Sequence, residues 1–94
     1  MALIDRVKLN LGISHNAKDS EINADITAAR AELIRSGVSE DSANGDDPLI
    51  EDAILQYVLY RMAASRNDDY RESWLYQQDC LRRSKKYAGA NHDE

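Results

Sequence analysis

The stretch DDPLIEDAILQYVLYRMAAS, residues 46–65, leaves the chain the fewest ways to fold. Asp47 is a capping residue, and Pro48 falls at the first helical position, where a missing N–H removes no hydrogen bond. The helix is predicted to run from Pro48 to about Ser65. Ile50, Ile54, Tyr57 and Val58 make one face of it. Leu55, Leu59 and Met62 make another, and Leu49, Ala53 and Tyr60 lie between. A helix that is apolar nearly all round must be covered nearly all round. A chain of 94 residues has few other elements to cover it. Oligomerisation is therefore expected, with Leu55, Leu59, Tyr60, Arg61 and Met62 at the subunit interface. Arg61 falls against Ile50, Ile54 and Tyr57 and admits two readings. Its stem packs while its head reaches water, or it pairs with Glu51 or Asp52 of a neighbouring copy.

The other segments read as shorter helices. Leu3, Val7 and Leu11, with Ile4 beside them, put one apolar stripe on a first helix from about Ala2 to Leu11, closed by Gly12 as a left-handed cap. A second helix is expected to begin at Asp19 or Ser20, either of which would cap its first turn. Glu21 and Asp25 favour its positive end. Ile22, Ile26, Ala29 and Leu33 form its apolar stripe, and Gly37 ends it. A helix starting at Asn67 or Asp68 presents Tyr70, Trp74, Gln77 and Leu81, with Leu75 next to them. The cations of RRSKKY then lie over the negative end of its dipole. Between these elements GVSEDSANGDD, residues 37–47, reads as one long polar loop with Asn44-Gly45 as a turn, either an arm or a short hairpin. AGANHDE reads as a polar tail, which orders only against a partner or neighbouring subunit. No stretch alternates with period two. The expected fold is all-α: a small bundle of about four helices with one long polar loop and a C-terminal tail, divided as a helical domain 1–87 and a tail 88–94.

Seventeen acids against twelve bases leave a net charge of −5. That balance argues against wrapping of nucleic acid, which asks for a basic face. The single cysteine, Cys80, has no partner for an internal disulfide, so a reducing compartment is expected. No run of about 18 apolar residues is present to span a membrane. Asp5, Arg6 and Lys8 interrupt the apolar start, so no signal peptide is expected. Ser14, His15, Asp19 and Glu21 crowd into eight positions, but no strand–turn–helix elbow or oxyanion hole accompanies them. They read as a polar linker and a helix cap. His15, His92 and Cys80 offer no zinc ligand set. SEDSANGDD lacks the ligand spacing and terminal glutamate of a calcium loop. No cofactor, metal or catalytic residue is expected. Tyr57, Tyr60, Tyr70, Trp74 and Tyr76 read as core or interface anchors.

Three stretches carry a resemblance across roughly residues 1–87. They are the opening helix ending in LGI at Leu11–Ile13, followed by a polar loop and Asp19; the helix INADITAARAELI; and the proline-started DPLIEDAILQYVLYRM, followed by a helix rich in tyrosine and arginine. In order and spacing they resemble the head–tail connector, or adaptor, proteins of tailed bacteriophages, also described as head-completion proteins. The loop Gly37–Asp47 departs from some members in being shorter. The resemblance implies a non-enzymatic virion protein at the head–tail junction, assembled in the host bacterial cytoplasm. It implies a homo-oligomeric ring, commonly twelvefold, that docks on the portal, extends the DNA channel without sequence-specific binding, and offers a platform to a stopper or tail-completion protein. On that reading Arg82, Arg83, Lys85, Lys86, Tyr87, Asn91 and His92 face the portal. Val38, Glu40, Asp41 and Asn44 face the stopper, while Gly12, Asp19, Ser20, Asp47 and Pro48 are helix caps. The acidic balance suits a channel wall that repels DNA. The alternative is a small helical DNA-packaging or DNA-binding protein, similar to a terminase small subunit or a helix-turn-helix regulator.

Overall fold

The computed structural model describes residues 2–63, 67–84 and 86–87. It holds α1 (Leu3–Leu11), α2 (Asp19–Ser36), a one-turn α3 (Glu40–Ala43), α4 (Pro48–Met62) and α5 (Asn67–Arg83). The chain is all-α, with no strand among the described residues. α4 is the axis of the fold: α5 packs along it most extensively, α2 and α1 cover its other sides, and α2 carries α3.

Each boundary follows from local chemistry. Asp47 accepts a hydrogen bond from the Leu49 N–H at 2.9 Å, and Pro48 opens α4. α4 stops at Met62, short of the expected Ser65, because Ala63 turns extended. Gly12 adopts the left-handed conformation at φ 73°, and the Ile13 N–H reaches back to the Lys8 carbonyl at 2.9 Å. A side chain at Gly12 would strain that turn. Gly37 ends α2 in the same manner, with the Val38 N–H on the Leu33 carbonyl.

Three expectations are corrected. The segment 37–47 is neither a free arm nor a hairpin. Ser39 caps α3 by accepting from the Ser42 N–H at 3.1 Å, and Val38 and Ala43 are buried. Arg30 of α2 donates to the carbonyls of Ala43 at 2.7 Å and Gly45 at 3.0 Å, which satisfies the open end of that single turn. The buried line of α2 is Ile22, Asp25, Ala29 and Leu33, so Asp25 takes the inward place expected for Ile26, which is half-buried. Finally, α4 is covered by the chain itself. Ile50, Ala53, Ile54 and Val58 have no exposed surface, and Leu55 and Leu59 keep only 7% and 2%. No neighbouring copy is needed to bury them.

Across the α4–α5 contact Tyr57 meets Trp74 edge-to-face, with ring centroids 4.9 Å apart. Such pairs add roughly 0.5–1.5 kcal/mol beyond area burial. Leu81, two helical turns beyond Trp74, is buried in the same core. Leu59→Ala is expected to lower the unfolding free energy by about 2–5 kcal/mol. Chemical denaturation should give the same loss at dilute and concentrated protein. A side chain buried between subunits would instead give a loss that grows or shrinks with concentration.

Candidate functional site

The serine–histidine–acid cluster is a hinge between α1 and α2. Ser14 and His15 are exposed. The His15 Nδ1 accepts the Ala17 N–H at 3.2 Å, which holds the ring in its own turn. Asp19 does not cap α2, and neither does Ser20: Lys18 occupies the cap position with no side-chain hydrogen bond. Asp19 accepts instead from Lys8 Nζ at 2.9 Å, and Asn16 accepts from the same amine at 3.0 Å. Lys8 thus ties α1 to the start of α2. Glu21 lies 3.9 Å from Lys18. No nucleophile, base and acid converge. Lys8→Ala and Asp19→Ala should each cost roughly 0.5 kcal/mol as a partly exposed pair. Ser20→Ala and His15→Ala should leave the thermal midpoint unmoved.

Arg61 sits half in water, as the first of its two readings has it. Its guanidinium lies 5.8 Å from the centroid of the Tyr57 ring, donates to the Tyr57 hydroxyl at 3.3 Å, and approaches Asp25 at 3.9 Å. The acids offered to it in the second reading are engaged within the chain. Arg6 of α1 donates to Asp52 at 2.7 Å and stands 3.7 Å from Glu51. Beside Arg61 is an open recess of about 300 Å3, lined by Leu11, Ile13, Lys18, Glu21 and Met62 among others. Burial pushes the Asp25 carboxyl above its ordinary value; Arg61 opposes this and Glu21 reinforces it.

Asp47 gathers the other end of the molecule. Its Oδ1 accepts from the Leu49 N–H and from the Tyr87 hydroxyl at 3.0 Å, and Lys86 Nζ lies 3.5 Å from Oδ2. The Leu49 N–H chiefly, with smaller help from Tyr87 and Lys86, holds its carboxyl below the usual range against the opposing effect of burial. The Tyr87 carbonyl accepts the Ser39 N–H at 2.7 Å. Tyr87, 5% exposed, is therefore part of the fold and strapped over the 38–47 segment.

Of the expected portal-facing residues, Tyr87 is turned inward, while Arg82 and Arg83 donate to Asp79 at 2.6 and 3.1 Å. Lys86 is exposed and engaged with Asp47. Lys85, Asn91 and His92 lie outside the described residues, as does the whole tail 88–94. Of the expected stopper-facing residues, Glu40, Asp41 and Asn44 are exposed, whereas Val38 is 2% exposed and faces the core. Among the expected interface residues, Tyr60 and Met62 are half-buried, and Arg61 is exposed.

The surface that the sequence reading passed over lies between α4 and α5. Leu49, Asp52, Tyr76, Gln77, Cys80 and Leu81 line a mostly apolar groove of about 250 Å3. Leu49 is 57% and Tyr76 72% exposed. A hydrogen bond with the exposed Cys80 raises the Tyr76 hydroxyl above its usual value. The signal was present as Tyr76 and Cys80 at helical spacing on the side away from Trp74 and Leu81. Among the described residues, no group of three or more His, Cys, Asp or Glu side chains is placed to hold a metal ion. No described helix is long and apolar enough to cross a membrane. No family model, curated protein or solved structure matches the chain.

Asp25 and Asp47 have opposite effects on acid stability. Asp47 has a depressed folded value, so its contribution is present above the ordinary carboxylate range and fades as pH falls through the lowered value. Asp25 has a raised folded value, so the folded chain gains a proton and stability as pH falls. Denaturation measured from pH 3 to 7 should show a shallower rise of stability with pH in Asp47→Asn. Asp25→Asn should show a steeper one.

Proposed function

We propose that this chain is a structural head–tail connector of a tailed phage or prophage, a ring-forming adaptor between portal and tail that carries out no chemistry. The observation that supports the reading is the order of its elements. A short amphipathic helix closed by Gly12 is followed by a polar hinge and a long second helix. A proline-started apolar helix then precedes a helix rich in tyrosine and arginine. The packing adds to this support. Ile50, Ala53, Ile54, Leu55, Tyr57, Val58 and Leu59 of α4 are buried within one subunit, so each subunit has a closed core of its own and keeps its outer faces for stacking. The net charge of −5 suits a wall past which DNA slides. The docking faces on this reading are outer ones. They are the exposed Glu40 and Asp41 of α3 with Asn44 at its end, and the chain beyond Tyr87, and not Leu55 or Leu59.

The test is assembly on a portal. Purified chain mixed with portal rings of the cognate virus should give a stacked second ring in electron micrographs, at about one copy per portal subunit. A chain truncated after Tyr87 keeps the Asp47 contact; it should fold normally and bind the portal at least tenfold more weakly. Failure of the intact chain to bind portal rings, together with tight salt-sensitive binding to packaging-site DNA, would overturn the reading in favour of a packaging or regulatory protein.

A further inference from the structure

Tyr87 grips one segment of the chain at both ends. Its carbonyl accepts the Ser39 N–H at 2.7 Å, and its hydroxyl donates to Asp47 at 3.0 Å. Lys86 adds a charged contact to the same carboxylate at 3.5 Å and lies 5.2 Å from the centroid of the Tyr87 ring. The segment between these two grips has little support of its own. α3 is a single turn, too short to be stable by itself. Its Ala43 and Asn44 N–H groups bond the carbonyls of Ser39 and Glu40. Arg30 holds its far end through the carbonyls of Ala43 and Gly45. α3 rests on α2, whereas α1, α2 and α5 each pack directly on α4.

We propose that Tyr87 is a clasp: seated on Ser39 and Asp47 it keeps residues 39–46 closed, and its release opens that segment as a unit while α1, α2, α4 and α5 stay packed. Segments held by few buried contacts open at a lower cost than global unfolding. This opening gives up the burial of Ala43 and Tyr87 and leaves the Tyr57–Trp74 contact untouched. Closed, the clasp presents the exposed Glu40, Asp41 and Asn44 on an ordered surface. Open, it frees them together with the chain end. The two surfaces are thereby linked. Whatever draws Tyr87 away from Asp47 loosens the acidic turn, and whatever fixes the turn fixes Tyr87. The inference stands apart from the connector reading, because it concerns one chain alone.

Amide hydrogen exchange of the full chain, followed by NMR at low denaturant concentrations, tests the clasp. The Ser39, Ala43 and Asn44 amides should exchange together, faster than Val58 and Leu59 within α4. Their exchange should depend little on denaturant, since the opening exposes little surface. The Ser39 amide bonds Tyr87 itself, so its joining the other two shows that clasp and turn open as one. Tyr87→Phe removes the hydroxyl contact and should speed these three amides by roughly threefold to tenfold. Val7→Ala removes a buried side chain of α1 from the closed and open forms alike. It should speed Val58 and Leu59 by roughly tenfold or more and leave the three amides within about twofold. Exchange of Ser39, Ala43 and Asn44 at the rate and denaturant dependence of Val58 and Leu59 would overturn the proposal. So would indifference of the three to Tyr87→Phe, or an equal response of both sets to Val7→Ala.

Discussion

A helix that is apolar on every side imposes a demand that its neighbours must meet. α4 presents Ile50, Ala53, Ile54, Leu55, Tyr57, Val58 and Leu59 around about two-thirds of its circumference, and all of them are buried, while Leu49, Asp52, Gln56 and Tyr60 form the remaining, partly exposed strip. α5 meets the demand on one side through Trp74 and Leu81, α2 on another through Ile22, Ala29 and Leu33, and α1 through Leu3 and Val7. The Tyr57–Trp74 contact fixes how α5 lies on α4, because an edge-to-face pair tolerates little sliding. Everything else in the molecule is arranged around that buried axis.

Polar fastenings hold the connecting segments to this core. Arg6 clamps α1 to Glu51 and Asp52 of α4, and Lys8 joins α1 to Asp19. Arg30 anchors α3 through two carbonyls, and Tyr87 returns from beyond α5 to the carboxylate that caps α4. Each of these joins residues far apart in sequence, and most sit where water still screens them. Their value lies in geometry more than in energy. They fix the angles between helices that hydrophobic contact alone leaves loose.

This construction bears on function. Since the core closes within one chain, surfaces available to partners must be sought outside it. The exposed acids of α3 and the groove at Leu49 are such surfaces. At the His15 hinge Ser14 and His15 are exposed and no nucleophile, base and acid converge.

Helix content, the proline-started α4 and the glycine stops were legible because they depend on residues near one another. Pro48 and Asp47 specify a start, Gly12 and Gly37 specify stops, and apolar periodicity specifies a buried face. Long-range partners were not legible. Asp19 looked like a cap until Lys8 was placed beside it, and Asp25 was read only as an acid near the positive end of α2 until burial on its inward line set it near Arg61 of α4. Residues 37–47 looked like an open loop because nothing local announces that Arg30 and Tyr87 will hold them. The apolar circumference of α4 was visible in the sequence, but whether copies of the chain or its own helices would cover it was not. The sequence by itself determined which segments are helical and that α4 must be buried. Tertiary structure alone decided what buries it, because that choice rests on contacts between helices distant in the chain, whose register no local pattern encodes.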